Sequence, residues 1–188
     1  MAKVRSIGVF CGSRSGRSPA YAEAARRTGE EIAKQGARLI YGGGDVGLMG
    51  IAASAAAEAG GAVRGIIPDF LIAREGQLDG VEIVIVDTMS TRKKRLIAAS
   101  DAFIILPGGT GTFEEITDVI SRQQLALHDK PVIFLNIEDY WAPFLALIEH
   151  SAREGFTPDD MISHIVMETD PAKAVADIVA ALKAKEAA

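Results

Sequence analysis

Arg92 and Glu115 are the two side chains of this 188-residue chain best placed to do chemistry, because they flank the run Pro107-Gly108-Gly109-Thr110-Gly111-Thr112. Phe103-Ile104-Ile105-Leu106 reads as a buried strand, and the glycines after it permit a tight turn and close backbone approach. A helix is expected to follow, with Thr112 as its cap. The N–H groups freed at such a helix start, together with the helix dipole, suit an anion such as phosphate.

Both charged residues also have ordinary readings. Thr112-Phe113-Glu114-Glu115 fits a capping box, in which Glu115 serves the helix start, a role that does not exclude catalysis. Met89, Arg92, Lys93, Leu96, Ile97 and Ser100 share one stripe of a helix, with Lys94 and Arg95 off it. Arg92 and Lys93 therefore interrupt an inward face, where each must either snorkel to solvent or meet an anionic partner.

The elements around this unit alternate. Strands are expected at Val4 to Phe10, Arg38 to Tyr41, Ala62 to Ile67, Glu82 to Val86, Pro131 to Leu135 and Ile165 to Met167. Helices are expected from Pro19 to Gln35, Leu48 to Ala59, Met89 onward, Thr112 to Leu127, Asp139 to Arg153 and after Pro171, with a fraying tail from Ala180 to Ala188. Ser18, Pro19 and Gly36 supply cap, first turn and stop for the first helix. Asp69 to Gly80 is less regular and is expected to cover the pocket. The pattern predicts a mostly parallel α/β sheet with helices on both faces, and three glycine-containing turns opening at its carboxyl edge.

One of those turns, Gly42-Gly43-Gly44-Asp45-Val46-Gly47, contains the spacing of a dinucleotide fingerprint. That fingerprint normally follows the first strand and expects an acid at the end of the next, whereas here the next strand runs into Pro68. Dinucleotide binding stands as a rival reading. The run after Leu106 is neither a Walker loop, lacking its Lys-Ser/Thr ending, nor a dinucleotide loop, having Glu114 at the third glycine position.

Composition narrows the classes. About half the residues are hydrophobic (48%), enough for a sizeable core without disulfides or metal in a soluble globular chain. A net charge of -5 and a pI near 5.3 argue against general nucleic-acid binding. The amino-terminal apolar run is too short for a signal peptide, and no apolar segment is long enough to span a membrane. Cys11 stands alone and is expected to be a reduced, partly buried thiol in a cytoplasmic protein. His128, His150 and His164 are not at metal-ligand spacing.

The residues carry a family resemblance along nearly the whole chain. Phe10-Cys11-Gly12-Ser13, Tyr41-Gly42-Gly43-Gly44, Gly47-Leu48-Met49-Gly50, Gly65-Ile66-Ile67-Pro68, Arg92-Lys93, Pro107 through Glu115 and His128-Asp129-Lys130-Pro131 occur in the order seen in the LOG family. Its members are cytokinin riboside 5'-monophosphate phosphoribohydrolases, formerly labelled lysine decarboxylase-like. The resemblance implies one Rossmann-like domain over 1–188, a homodimer with pockets near its interface, a nucleoside 5'-monophosphate substrate and no cofactor or metal. It marks Arg92 and Glu115 as catalytic, and Ser13, Gly43, Gly44, Met89, Lys93, Gly108, Gly109, Thr110, Gly111 and Thr112 as substrate-binding. Ser90 and Thr91 stand where the family usually has His-Glu.

The implied reaction is hydrolysis of the N-glycosidic bond through an oxocarbenium-like transition state. Glu115 could stabilise that charge, bind ribose hydroxyls or orient water, while Arg92 could pair with Glu115 and phosphate or aid the leaving base. Two alternatives accompany this reading: hydrolysis of AMP or purine nucleotides generally, and nucleotide or molybdenum-cofactor binding without hydrolysis. Nothing in the sequence supplies the lysine constellation of a pyridoxal-phosphate decarboxylase.

Overall fold

The computed structural model describes residues 5–187, so Val4, the expected start of the first strand, and Ala188 lie outside the described residues. Strands β1 (Ser6–Phe10), β2 (Arg38–Tyr41), β3 (Val63–Pro68), β4 (Glu82–Val86), β5 (Ala102–Ile105), β6 (Val132–Leu135) and β7 (Val166–Glu168) form one sheet. Their order is β4-β3-β2-β1-β5-β6-β7, and every neighbouring pair is parallel. The sheet is thus wholly rather than mostly parallel.

Such a sheet needs both faces covered, and its central strands are accordingly almost wholly apolar. Every residue of β1, β5 and β6 is buried. Side chains alternate between two cores: Ala102 and Ile104 pack with α1 (Pro19–Lys34), α2 (Gly47–Glu58) and α7 (Pro171–Ala187), whereas Phe103 and Ile105 face α4 (Met89–Ala99) and α5 (Thr110–Gln124). Phe144 of α6 (Ala142–Arg153) and the buried Trp141 extend the second core. No helix among the described residues is long and apolar enough to cross a membrane.

The local signals of α1 are realised: Ser18 Oγ accepts from the Ala20 N–H at 3.2 Å, Pro19 opens the helix and Gly36 stops it with φ 65°. Several boundaries differ from expectation, most by a single residue, and α5 ends at Gln124 rather than Leu127. The stretch Asp69 to Gly80 begins as a short helix, α3 (Asp69–Glu75), ended by Gly76 at φ 66°. The helix expected from Asp139 starts at Ala142, after the Trp141 N–H bonds Asn136 Oδ1 at 2.7 Å. The carboxyl-terminal helix runs unbroken to Ala187, with Leu182 seated in the core.

The chain winds from β1 outward through β2, β3 and β4, then returns to β1's other side with β5. This reversal leaves a crevice at the carboxyl ends of β1 and β5, the position where open α/β sheets bind ligands. It is also where the turns 11–16 and 107–109 meet.

Candidate active site

Gly12 knots three turns together. Its N–H donates to the Pro107 carbonyl at 3.0 Å, and its own carbonyl accepts from the Leu48 N–H at 3.0 Å. A β-carbon on Gly12 would lie 3.3 Å from Gly108 Cα, and one on Gly108 would overlap the Thr112 hydroxyl, so this junction closes only with glycine at both places. Around it lies a cavity of about 500 Å³, within the range of small-molecule sites. Ser13, Arg92, Glu115 and residues 108–112 line it.

The start of α5 corrects the expected capping box. The cap position is Gly109, the helix begins at Thr110, and the Phe113 N–H makes the first turn's bond to the Gly109 carbonyl at 3.0 Å. Thr112 is therefore inside the first turn and buried, and no side chain caps this helix. The reason is local: Gly109 has no side-chain oxygen to offer, so the N–H groups of Thr110, Gly111 and Thr112 are left directed out of the helix start, beside the cavity those residues line. Glu115 falls in the following turn, half-buried at the cavity wall. Burial pushes its carboxyl up to about 7; the positive charge of Arg92 opposes this, while Glu114 and Glu75 add to it.

Arg92 takes neither of the courses expected for it. It is 6% exposed, so it does not snorkel, and no carboxylate of the described residues stands at ion-pair distance from it. Instead Nε donates to the Ile66 carbonyl at 3.2 Å and Nη2 to the Gly42 carbonyl at 3.0 Å, with Nη1 4.0 Å from Met89 Sδ. Carbonyls at the carboxyl ends of β2 and β3 thus seat the cation and leave donor capacity on the cavity side. Lys93, its neighbour, lies at the surface in a pair with Glu114 at 2.7 Å.

The second glycine turn explains how Arg92 is admitted. A β-carbon on Gly42 would overlap Arg92 Nη2. Gly43, at φ 85°, packs on Ile67, and Gly44 abuts Glu75 and Met49. Gly47, at φ 59°, lies against the Ser13–Arg14 backbone. Each glycine of the apparent dinucleotide fingerprint has the protein's own atoms where a β-carbon would stand, which accounts for these glycines without a ligand. Gly43, Gly44, Met89 and Lys93 do not line the cavity.

Tyr21 and Tyr140 line the cavity and escaped the sequence reading, whereas Arg74 and Glu75, also lining it, belong to the stretch Asp69 to Gly80 that was expected to cover the pocket. The first two turns of α3 gave a signal in the apolar run Phe70-Leu71-Ile72 before Gly76; Tyr140 gave none. The Asp45 N–H donates to the Glu75 carbonyl at 2.7 Å, tying α3 to the β2 turn, and Glu75 Oε2 is shut from solvent without a partner among the described residues. Cys11 is a buried free thiol at the cavity wall, its proton held more tightly by burial and by the charge of Glu115.

The fold and its carboxyl-edge site define a Rossmann-like α/β protein with an uncapped helix start beside a buried arginine and a carboxyl of raised proton affinity. The family profile described as "Possible lysine decarboxylase" matches residues 49–178. The chain is 42% identical over 176 residues to the cytokinin riboside 5'-monophosphate phosphoribohydrolase of Rhodococcoides fascians, covering 93% of this chain and 89% of that one. It is 42% identical over 173 residues to a protein of the same name from Arabidopsis thaliana, covering 91% and 80%. The chain belongs to this family, the LOG family. Among solved structures, the molybdenum cofactor carrier protein of Chlamydomonas reinhardtii superposes with a TM-score of 0.74 over 96% of this chain and 99% of that one. At 22% identity that likeness concerns the fold alone.

Proposed function

We propose that the protein, as a single domain over 1–188, hydrolyses the N-glycosidic bond of cytokinin riboside 5'-monophosphates, releasing the free base and ribose 5-phosphate. The observation that carries the reading is the juxtaposition of buried Arg92, half-buried Glu115 and the uncapped start of α5 in one cavity. The relatives named above carry this activity in their names, at identities that extend along most of the chain.

In this reading the 5'-phosphate lies at the N–H groups of Thr110, Gly111 and Thr112, where the helix dipole and open donors favour an anion. That placement sets the ribose between Arg92 and Glu115, one turn further along α5. As the bond from the anomeric carbon to the base nitrogen breaks, positive charge develops on the sugar, and the Glu115 carboxylate stabilises it. Water then adds to the anomeric carbon through its oxygen; the proton it loses passes to Glu115 and is returned through solvent to the nitrogen of the departing base, so the carboxylate is restored and the products are the neutral base and ribose 5-phosphate. A carboxyl poised near neutrality suits both holding charge and accepting that proton. Arg92, fixed by two carbonyls, directs its remaining donors at the substrate.

The protein acts in this reading as a cytoplasmic homodimer, for which exposed Phe113, Leu125 and Leu127 on and just after α5 supply apolar surface. The test is a product assay with isopentenyladenosine monophosphate and with AMP. Release of free base and ribose 5-phosphate from the prenylated nucleotide, at higher efficiency than from AMP, is expected. Absence of base release from either substrate would overturn the reading.

A further inference from the structure

We infer that Tyr140 is a positioning residue for the phosphate end of the substrate, acting by holding the peptide between Gly108 and Gly109. Its hydroxyl donates a hydrogen bond to the Gly108 carbonyl. Among the described residues, that peptide has this hydroxyl as its one hydrogen-bond partner. A trans peptide is planar, so fixing the carbonyl also fixes the Gly109 N–H, which opens the row of free donors continued by Thr110, Gly111 and Thr112.

The peptides on either side are held, by the Gly12 N–H on the Pro107 carbonyl and the Phe113 N–H on the Gly109 carbonyl, and Gly108 packs on Gly12 and Thr112, but the Gly109 side of the turn is open. Nothing lies within 4 Å of where a Gly109 β-carbon would be, and a glycine there has wide backbone freedom. Tyr140, by contrast, is clamped. Its ring meets Tyr21 edge-on at 5.8 Å and Trp141 at 5.0 Å, and Trp141 is itself buried and tied to Asn136. An aromatic anchor from the segment after β6 thus holds the glycine turn after β5, and lines the same cavity. Without that hydroxyl the peptide can rotate, and the donors at the start of α5 lose their common direction.

This inference rests on the phosphate placement proposed above. Its test compares wild type with Tyr140→Phe, which keeps the ring contacts and removes only the hydroxyl. Two quantities are measured: kcat and KM on isopentenyladenosine monophosphate and its nucleoside, and calorimetric binding of ribose 5-phosphate. One hydrogen bond's worth of ordering predicts roughly a fivefold rise in KM for the monophosphate and in the Kd of ribose 5-phosphate. The kcat should change less, nucleoside efficiency should not change, and Tm should stay near wild type. An unchanged ratio of monophosphate to nucleoside efficiency together with unchanged ribose 5-phosphate affinity overturns the inference, as does a wild type that does not bind ribose 5-phosphate. If wild type releases no base yet binds ribose 5-phosphate, the hydrolase reading falls while the binding comparison still decides the role of Tyr140.

Discussion

The turns after β2 and after β5 are nearly equal in glycine content and opposite in use. In the first, Gly42, Gly43, Gly44 and Gly47 are each filled by the protein itself: by Arg92, Ile67, Glu75 and the Ser13–Arg14 backbone. In the second, Gly108 is closely packed, but Gly109 and Gly111 have nothing within 4 Å of a β-carbon position. Glycine marks a place where something comes close to the backbone, and only the neighbour's identity tells whether that something is a ligand. The first turn serves the site indirectly, by making room for the guanidinium. The second presents its own donors.

The sharpest way to break this contrast is to attack Arg92 from both sides. Arg92→Ala and Glu115→Gln are each expected to lower kcat by about 10²- to 10³-fold, the scale of losing a group that stabilises transition-state charge. Gly42→Ala should approach the effect of Arg92→Ala, because the new methyl occupies the place of Nη2. In a double-mutant cycle the two losses should not add, since both act through one guanidinium. Additive losses, or a fully active Gly42→Ala, would separate the β2 turn from the site. Arg92→Ala should also cost roughly 1–3 kcal/mol in denaturant titration, because buried Ile66 and Gly42 carbonyls lose their donors.

The second turn is tested by its ligand. Isopentenyladenosine should be hydrolysed about two orders of magnitude less efficiently than its 5'-monophosphate, since losing two charge-assisted hydrogen bonds at roughly 1.5 kcal/mol each already reaches that factor. Part of the loss should fall on kcat, because phosphate contacts also place the reacting carbon. Equal efficiencies would remove the α5 start as a phosphate anchor and make the two turns alike after all.

A smaller effect lies in pH dependence. With the Glu115 carboxyl raised to about 7, kcat/KM should fall below that pH as the carboxylate is lost and level off above it. Glu75→Gln should move this limb to lower pH, because the charge of Glu75 is one of those raising Glu115. Stability has the opposite sign. The folded carboxyl holds its proton above the ordinary value of 4.5, so its contribution is full below about 4.5 and lost as pH rises through about 7. Glu115→Gln should flatten both profiles; a Gln variant with an unchanged rate limb would assign the limb to another group.

What the sequence by itself determined are features that reach no further than a turn or a pleat. The caps of α1, the bounds of β2 and β4, the buried stripe of α4 through Arg92, Leu96 and Ile97, and the α/β alternation were all readable from period and punctuation. Arg92 could be singled out because charge on an inward face is costly enough to need a reason, and Glu115 by its place just after the glycine run. Tertiary structure decided the rest. Whether α5 starts at Thr110 or Thr112 depends on the fit of Gly108 against Gly12, a residue of another turn, and a local capping signal cannot register that contact. Whether a buried arginine meets a carboxylate or a carbonyl depends on Ile66 and Gly42, 26 and 50 residues away, which the parallel sheet alone brings side by side. Local propensities act over a few residues, whereas the filling of space around a glycine is a property of the packed chain.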